Sequence, residues 1–345
     1  MSFQKLLLFG SLVIGGGAVA AAAAAEAGAL YKISQSIPLG SPEQWDYLTF
    51  DSESGRLFIA HGSGIDVVDG ASGKLLGKIA VPGANGITVV PAIGKGYAGS
   101  RAKKAALVFD LKTLKIIKEL PADEDTDAVV YDPASQRVFI MQGDPHNITV
   151  IDTHSDSVVT KLALDGQPEF AAADGNGKLF VNITDRNEIQ KIDTKTAKIE
   201  ATWSISDCQR PHGLAISPAD HRLFASCVNS KLVVVDSIDG KIIATLSIGK
   251  GSDAAAYDAA RKRVFSSNSD GTLSVIQQET PQHYIGLGDI PTRELARTMA
   301  LDPKTGRVFL VTGDRAEVDP AATDPRKRFA VRSGSVALLF ADPSG

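Results

Sequence analysis

The chain reads as an all-β protein, a seven-bladed β-propeller with four-stranded blades, on three observations. A short motif returns seven times: a polar turn, a basic residue, a hydrophobe and an aromatic. Its aromatics, Phe58, Tyr97, Phe139, Phe180, Phe224, Phe265 and Phe309, stand 39 to 44 residues apart. Between them lie short apolar runs separated by Gly, Pro, Asp and Asn, which is how strands and tight turns alternate. A repeat near forty residues built from such runs is the signature of a closed ring of blades.

In chain order, the first segment stands apart. Lys5 precedes an apolar stretch, Leu6 to Ala20, and Ala25-Glu26-Ala27 offers an A-x-A cleavage site. Residues 1–27 therefore read as a secretory signal peptide. Residues 28–345 form one propeller domain. Their length alone would suggest two domains, but an uninterrupted repeat shares one ring. A spare strand, Leu30 to Ile37, precedes the first repeat. The third repeat illustrates the rest: strand A at Ala128–Tyr131, B at Val138–Met141, C at Ile148–Ile151 and D at Val158–Leu162. Strand A is built of small aliphatic residues, as at 171–173 and 254–256, which suits the crowded centre. Strand C often ends in aspartate (Asp69, Asp110, Asp152, Asp193, Asp236), a residue that caps turns by accepting backbone N–H bonds. The last repeat has strand A at Thr298–Leu301, B at Val308–Thr312 and C at Val336–Phe340, then no strand D. The N-terminal strand is expected to complete that blade and remove an open sheet edge.

Phe180-Val181-Asn182-Ile183, followed by Ile192-Asp193-Thr194-Lys195-Thr196, resembles the Y-V-T-N … V-I-D-T-x-T pattern of the YVTN-type, surface-layer-like, seven-bladed propellers. Val150-Ile151-Asp152-Thr153 and Val235-Asp236 echo it, and Ile183 departs from it where the family has Asn. The resemblance spans essentially the whole chain after residue 27. It implies an exported binding or surface-associated propeller and names no activity. The chain lacks the G-H … W-D pairing of WD40 repeats and a kelch-like Gly-Gly. Its two tryptophans, Trp45 and Trp203, do not supply the repeated Trp motifs of quinoprotein dehydrogenases.

The formal net charge is −4, and removing Lys5 and Glu26 with the leader leaves it unchanged. A mildly acidic chain has no global attraction to nucleic acid or anionic membrane. Trp45, next to Asp46, and Phe329 are the only stacking candidates, so a nucleic-acid partner is not expected. No membrane span remains after leader cleavage, and a monomer is expected. The two cysteines, Cys208 and Cys227, flank a hairpin of His212–Ser217 and Leu223–Val228 whose pairing sets His212 near Val228. An even count in an exported chain points to a disulfide; two free thiols are the alternative.

In a propeller the first residue of strand A lies at the mouth of the central channel. Counting five residues back from each A–B turn gives Asp46, Gly86, Asp127, Glu169, His212, Asp253 and Arg297. Six of these seven equivalent positions are ionisable. They are the candidate ligand-binding set, and neighbouring Glu169, His212 and Asp253 offer carboxylate and imidazole donors for a divalent cation. The structural alternative is that each aspartate ties down backbone N–H groups of the next blade while Arg297 balances charge. Basic loop residues share the face: Arg101, Lys103, Lys104, Arg210, Arg293 and, in the long loop Gly313–Ser333, Arg315, Arg326, Lys327, Arg328 and Arg332. Asp123-Glu124-Asp125-Thr126-Asp127 has the opening spacing of a calcium loop, but Ala128 replaces the required Gly and no Glu follows at the twelfth place. It reads as a solvated loop.

The expected function is an exported, periplasmic or secreted, non-catalytic protein that binds a protein, polymer or small ligand around Asp46, Asp127, Glu169, His212, Asp253 and Arg297. The alternative is a metal-dependent hydrolase or lactonase with its cation on Glu169, His212 and Asp253.

Overall fold

The computed structural model describes residues 30–316 and 330–344. The leader, residues 1–27, lies outside the described residues, as do Arg326, Lys327 and Arg328. Twenty-eight strands, β1 to β28, form seven four-stranded antiparallel sheets among the described residues. The innermost strands are β2 (Trp45–Asp51), β6 (Ala84–Val90), β10 (Thr126–Asp132), β14 (Pro168–Ala173), β18 (Pro211–Ser217), β22 (Ser252–Asp258) and β26 (Thr298–Leu301).

Six blades run in simple order. The seventh runs β1 (Tyr31–Pro38), β28 (Ala337–Pro343), β27 (Val308–Thr312), β26. The N-terminal strand thus closes the ring, pairing Tyr31 with Pro343 and Pro38 with Ala337. Strand ends differ from the sequence expectation by no more than three residues, and β26 and β27 match it at both ends. The largest difference is at β28, which starts at Ala337 rather than Val336 and continues past Phe340.

The recurring motif has a packing reason. All seven of its aromatics are buried, at no more than 1% exposure. They sit on the second strand of each blade, within seven apolar clusters that lie between neighbouring blades. The basic residue two places before each aromatic stitches most blades to the next. Arg56 donates to Leu111 O at 2.6 Å and Arg137 to Lys195 O at 2.6 Å. Lys95 pairs with Asp156 at 2.5 Å, and Arg222 donates to Pro281 O at 2.7 Å. Arg263 covers the Tyr31 ring, and Arg307 donates to Gly70 O at 2.8 Å across the closure. Lys178 is the exception, pairing with Asp193 and Glu200 of its own blade. The third-strand aspartates cap their turns, for example Asp69 from Ser72 N at 2.8 Å and Asp193 from Thr196 N at 2.8 Å.

Cys208 and Cys227 form a disulfide, with Cα atoms 5.3 Å apart and both residues fully buried. The register differs from the sequence reading. Pro211, not His212, lies by the bridge, paired with Cys227, because the strand slips between Pro211 and Leu214. Disulfides persist in oxidising compartments, so the bridge points away from the cytoplasm. No helix among the described residues is long and apolar enough to cross a membrane.

Candidate functional site

The channel mouth is built by a repeated backbone irregularity. In each of the first six blades the innermost strand loses register near its start: between Trp45 and Leu48, Ala84 and Ile87, Thr126 and Val129, Pro168 and Ala171, Pro211 and Leu214, Ser252 and Ala254. A bulge leaves residues without a ladder partner and re-aims their side chains. Asp46, Gly86, Asp127, Glu169, His212 and Asp253 all fall inside these slips. Arg297 immediately precedes β26.

The six charged or ionisable members converge. Asp46, Asp127, Glu169, His212, Asp253 and Arg297 line one cavity of about 210 Å³, together with Tyr47, Arg101, Phe170 and Thr298. The Tyr47 and Phe170 rings come from the first and fourth blades and meet across the axis, their centroids 4.7 Å apart. The cavity is therefore a cup: a charged wall over an aromatic pair. A second cavity of about 640 Å³ shares Asp46, Arg101 and Arg297 with it and is walled by residues including Glu43, Trp45, Leu295, Arg315 and Val331. It forms a vestibule to the cup. The described base of the long loop contributes Arg315 and Val331, which face each other in an isolated bridge.

Polar contacts in the cup are unequal. His212 Nδ1 lies 2.8 Å from Asp253 Oδ1 and 3.7 Å from Glu169 Oε1. Arg297 donates to the other Asp253 oxygen. Asp127 Oδ1 accepts from Asn85 Nδ2 at 3.2 Å, and Arg101 reaches Asp125 at 3.2 Å and Asp127 at 3.9 Å. This loop pairing of Asp125, with Asp123 held by Lys161 at 2.6 Å, uses the acidic run 123–127 for internal contacts.

Burial and mutual repulsion set the protonation of the ring. Burial, together with the Asp253 charge and against Arg297, pushes Asp46 up to about 6. Burial and the Asp46 charge push Asp127 up to about 7, with Arg101 opposing. Burial and the charges of Asp127 and Asp253 raise Glu169 well above the usual carboxylate range. Burial would raise Asp253 too, but Arg297 and His212 hold it down at about 2. In turn, Asp253 raises Arg297 above its ordinary value. Carboxyls pushed apart in this way are what a functional cleft arranges.

Sequence counting missed two parts of this site. Arg101 enters from the second blade's B–C loop and occupies the sector where Gly86 has no side chain. A Cβ on Gly86 would stand 2.0 Å from Asp127 O, so that blade has no room to offer one. The aromatic pair was missed as well. Its signal is the residue after each ring position, which is Tyr47 and Phe170 in two repeats but Ala128, Gly213, Ala254 and Thr298 in others.

No family model matches the chain, and no curated protein matches it in sequence. Among solved structures it is similar to Kuenenia stuttgartiensis Hydrazine Synthase, with a TM-score of 0.67 and 14% identity over 79% of this chain and 92% of that chain. At this identity the likeness is one of fold. It supports the seven-bladed propeller; no family, the YVTN-type repeats included, is established by it. Solved chains that match in structure number 1804, a breadth that singles out no activity.

Proposed function

We propose that this chain is an exported propeller of YVTN-like repeats, periplasmic or secreted, that binds a small polar ligand at the channel mouth without catalysis. One observation carries this reading: side chains from six blades, plus Arg101, converge on one cup under a vestibule of about 640 Å³. That volume suits a small molecule, with a few convergent polar groups above apolar rings to fix its orientation. A polymer strand or protein surface would contact the vestibule rim and leave the cup unfilled.

The test is a melting-temperature screen of the exported protein against amines, amino acids, sugars and organic acids. At least one class should raise the melting temperature, and Asp46→Asn should abolish that rise. No response from any class, with lowered melting of Asp46→Asn, would reduce the ring to scaffold. Fractionation of cells expressing the chain with and without residues 1–27 tests export. The second reading, a metal-dependent hydrolase or lactonase, draws on the convergence of Glu169, His212 and Asp253. Chelator-sensitive cleavage of a lactone or p-nitrophenyl ester would favour it over simple binding.

A further inference from the structure

We propose that Glu169, His212 and Asp253 form a site for one divalent first-row transition-metal ion, such as Zn²⁺ or Mn²⁺, with its remaining coordination positions open to the cup. This deepens the small-ligand reading and rests on it: the ion would be the anchor to which a ligand's oxygen or nitrogen binds.

The geometry comes first. One donor atom from each of the three residues lies within 4.8 Å of the other two. His212 Nδ1 stands 2.8 Å from Asp253 Oδ1 and 3.7 Å from Glu169 Oε1. Donors each about 2.1 Å from a shared ion are separated by roughly 3–4 Å, so small side-chain rotations bring the three into place. They come from three consecutive blades, each presented by a bulge in its innermost strand. Asn182 Nδ2 donates to His212 O at 2.8 Å and to Gly213 O at 3.1 Å, which pins the His212 backbone. Fixing the carrier of a donor in this way is what metal sites require.

Two further observations bear on the site. The Glu169 carboxyl, on a side chain 17% exposed, accepts no hydrogen bond among the described residues, and the His212 ring stands 3.7 Å from it. Thr298, which lines the same cup and is 2% exposed, has a buried hydroxyl with no partner. A buried hydroxyl left unpaired is costly, and a hydrated ion supplies water for it as well as a cation for the partly exposed carboxylate. The charge balance agrees. Among the described residues, four carboxyls face two guanidiniums in the cup, so acidic groups outnumber the guanidiniums by two. Imidazole with two carboxylates suits Zn²⁺ or Mn²⁺, whereas Ca²⁺ and Mg²⁺ prefer oxygen donors alone.

Asp253 also explains the otherwise awkward nearness of Arg297. Its second oxygen takes the guanidinium, so that charge is matched within the wall while the first oxygen faces His212.

The experiment uses the exported full chain purified without chelator. Elemental analysis should find about one equivalent of a first-row metal. After stripping with EDTA and dialysis, calorimetric titration with ZnCl₂ and with MnCl₂ should give one-to-one binding for at least one of them. Glu169→Gln, which keeps the side-chain shape, and His212→Ala should each weaken binding by at least about 10–100-fold. Should His212→Ala fail to fold, Glu169→Gln alone decides. Glu124→Gln, on an exposed lysine pair outside the cup, should bind as the wild type does. Absence of stoichiometric uptake by the wild type, or unchanged affinity in Glu169→Gln, overturns the proposal. The small-ligand melting screen, repeated on stripped protein, separates the two ideas. A small-ligand response without metal uptake defeats the metal site and leaves the binding reading standing; metal uptake without any small-ligand response does the reverse.

Discussion

Asp127→Asn should stabilise this protein at pH 8, although it removes a buried, hydrogen-bonded charge. The reason lies in the direction of the Asp127 shift. Burial and the nearby Asp46 charge raise its folded pKa to about 7, against about 3.9 in an unfolded chain. An acid raised on folding favours the native state fully only below its unfolded value. That contribution is lost as pH climbs through the folded value. Between pH 5 and 8 the folded carboxyl keeps its proton over about two units in which the unfolded chain has already lost it. At 1.36 kcal/mol per unit, this is roughly 3 kcal/mol, an upper bound because Asp46 and Glu169 relax with it. For a domain of this size it corresponds to a fall in Tm of several degrees. The assay is calorimetric melting from pH 5 to 8 in EDTA, which keeps any ion off the ring. Wild-type Tm should fall across the range. Asp127→Asn should flatten the fall and melt higher than wild type at pH 8, since its amide oxygen still accepts from Asn85. Asp253→Asn should behave oppositely: its folded value of about 2 makes the ionised form a net stabiliser above pH 4, so the variant should be weaker throughout. A flat or rising wild-type Tm, or a weakened Asp127→Asn at pH 8, would refute the reasoning. At Asp127 the outcome separates scaffold from site, because an aspartate kept only for structure adds stability and one kept for function commonly subtracts it.

Three other predictions follow from single contacts. Replacing Cys208 and Cys227 by Ala should cost about 3 kcal/mol from the lost loop constraint, read by urea unfolding. Arg307→Ala should lower stability by about 1–3 kcal/mol, because the guanidinium bonds Gly70 O, Ala71 O and Asp342 and covers the Phe340 ring at 4.2 Å; unchanged urea unfolding would show that the seam holds without it. Gly86→Ala should destabilise by at least about 1–3 kcal/mol, since its Cβ would meet the Asp127 carbonyl at 2.0 Å, and a normally melting variant would count against the packing described.

The fold was readable because its signal is repeated and local. An aromatic at Phe139 or Phe309 is buried for the same reason in each blade, and the basic residue before it usually grips the next blade. The ring positions were readable because the distance from the A–B turn to the channel mouth is nearly constant. The bulges that aim them were not. A bulge arises from how strands meet, and Asp127 or Glu169 carries no residue pattern that announces it. The same slip explains why Pro211 rather than His212 lies beside Cys227. Arg101 could be placed on the correct face, but its reach into the vacant Gly86 sector depends on loop conformation. The Tyr47–Phe170 contact joins residues of the first and fourth blades, so it exists only once the ring has closed.

Seven nearly equivalent backbone positions carry seven residues that are not equivalent, and the differences are grouped. Among the described residues, the carboxyls without a guanidinium or amide partner are Asp46 and Glu169, while Asp127 has Asn85 and Asp253 has Arg297. His212 stands between Glu169 and Asp253 and nowhere near Asp46 in chain order. If these residues only locked neighbouring blades, one solution would serve all seven seams, as the motif's basic residue nearly does. Instead the cup has a donor-rich arc over the fourth to sixth blades and a guanidinium on either flank, Arg101 and Arg297. Such an arrangement distinguishes one end of a bound molecule from the other. The repeat accounts for the ring, and its broken symmetry at the mouth is where selection among ligands would reside.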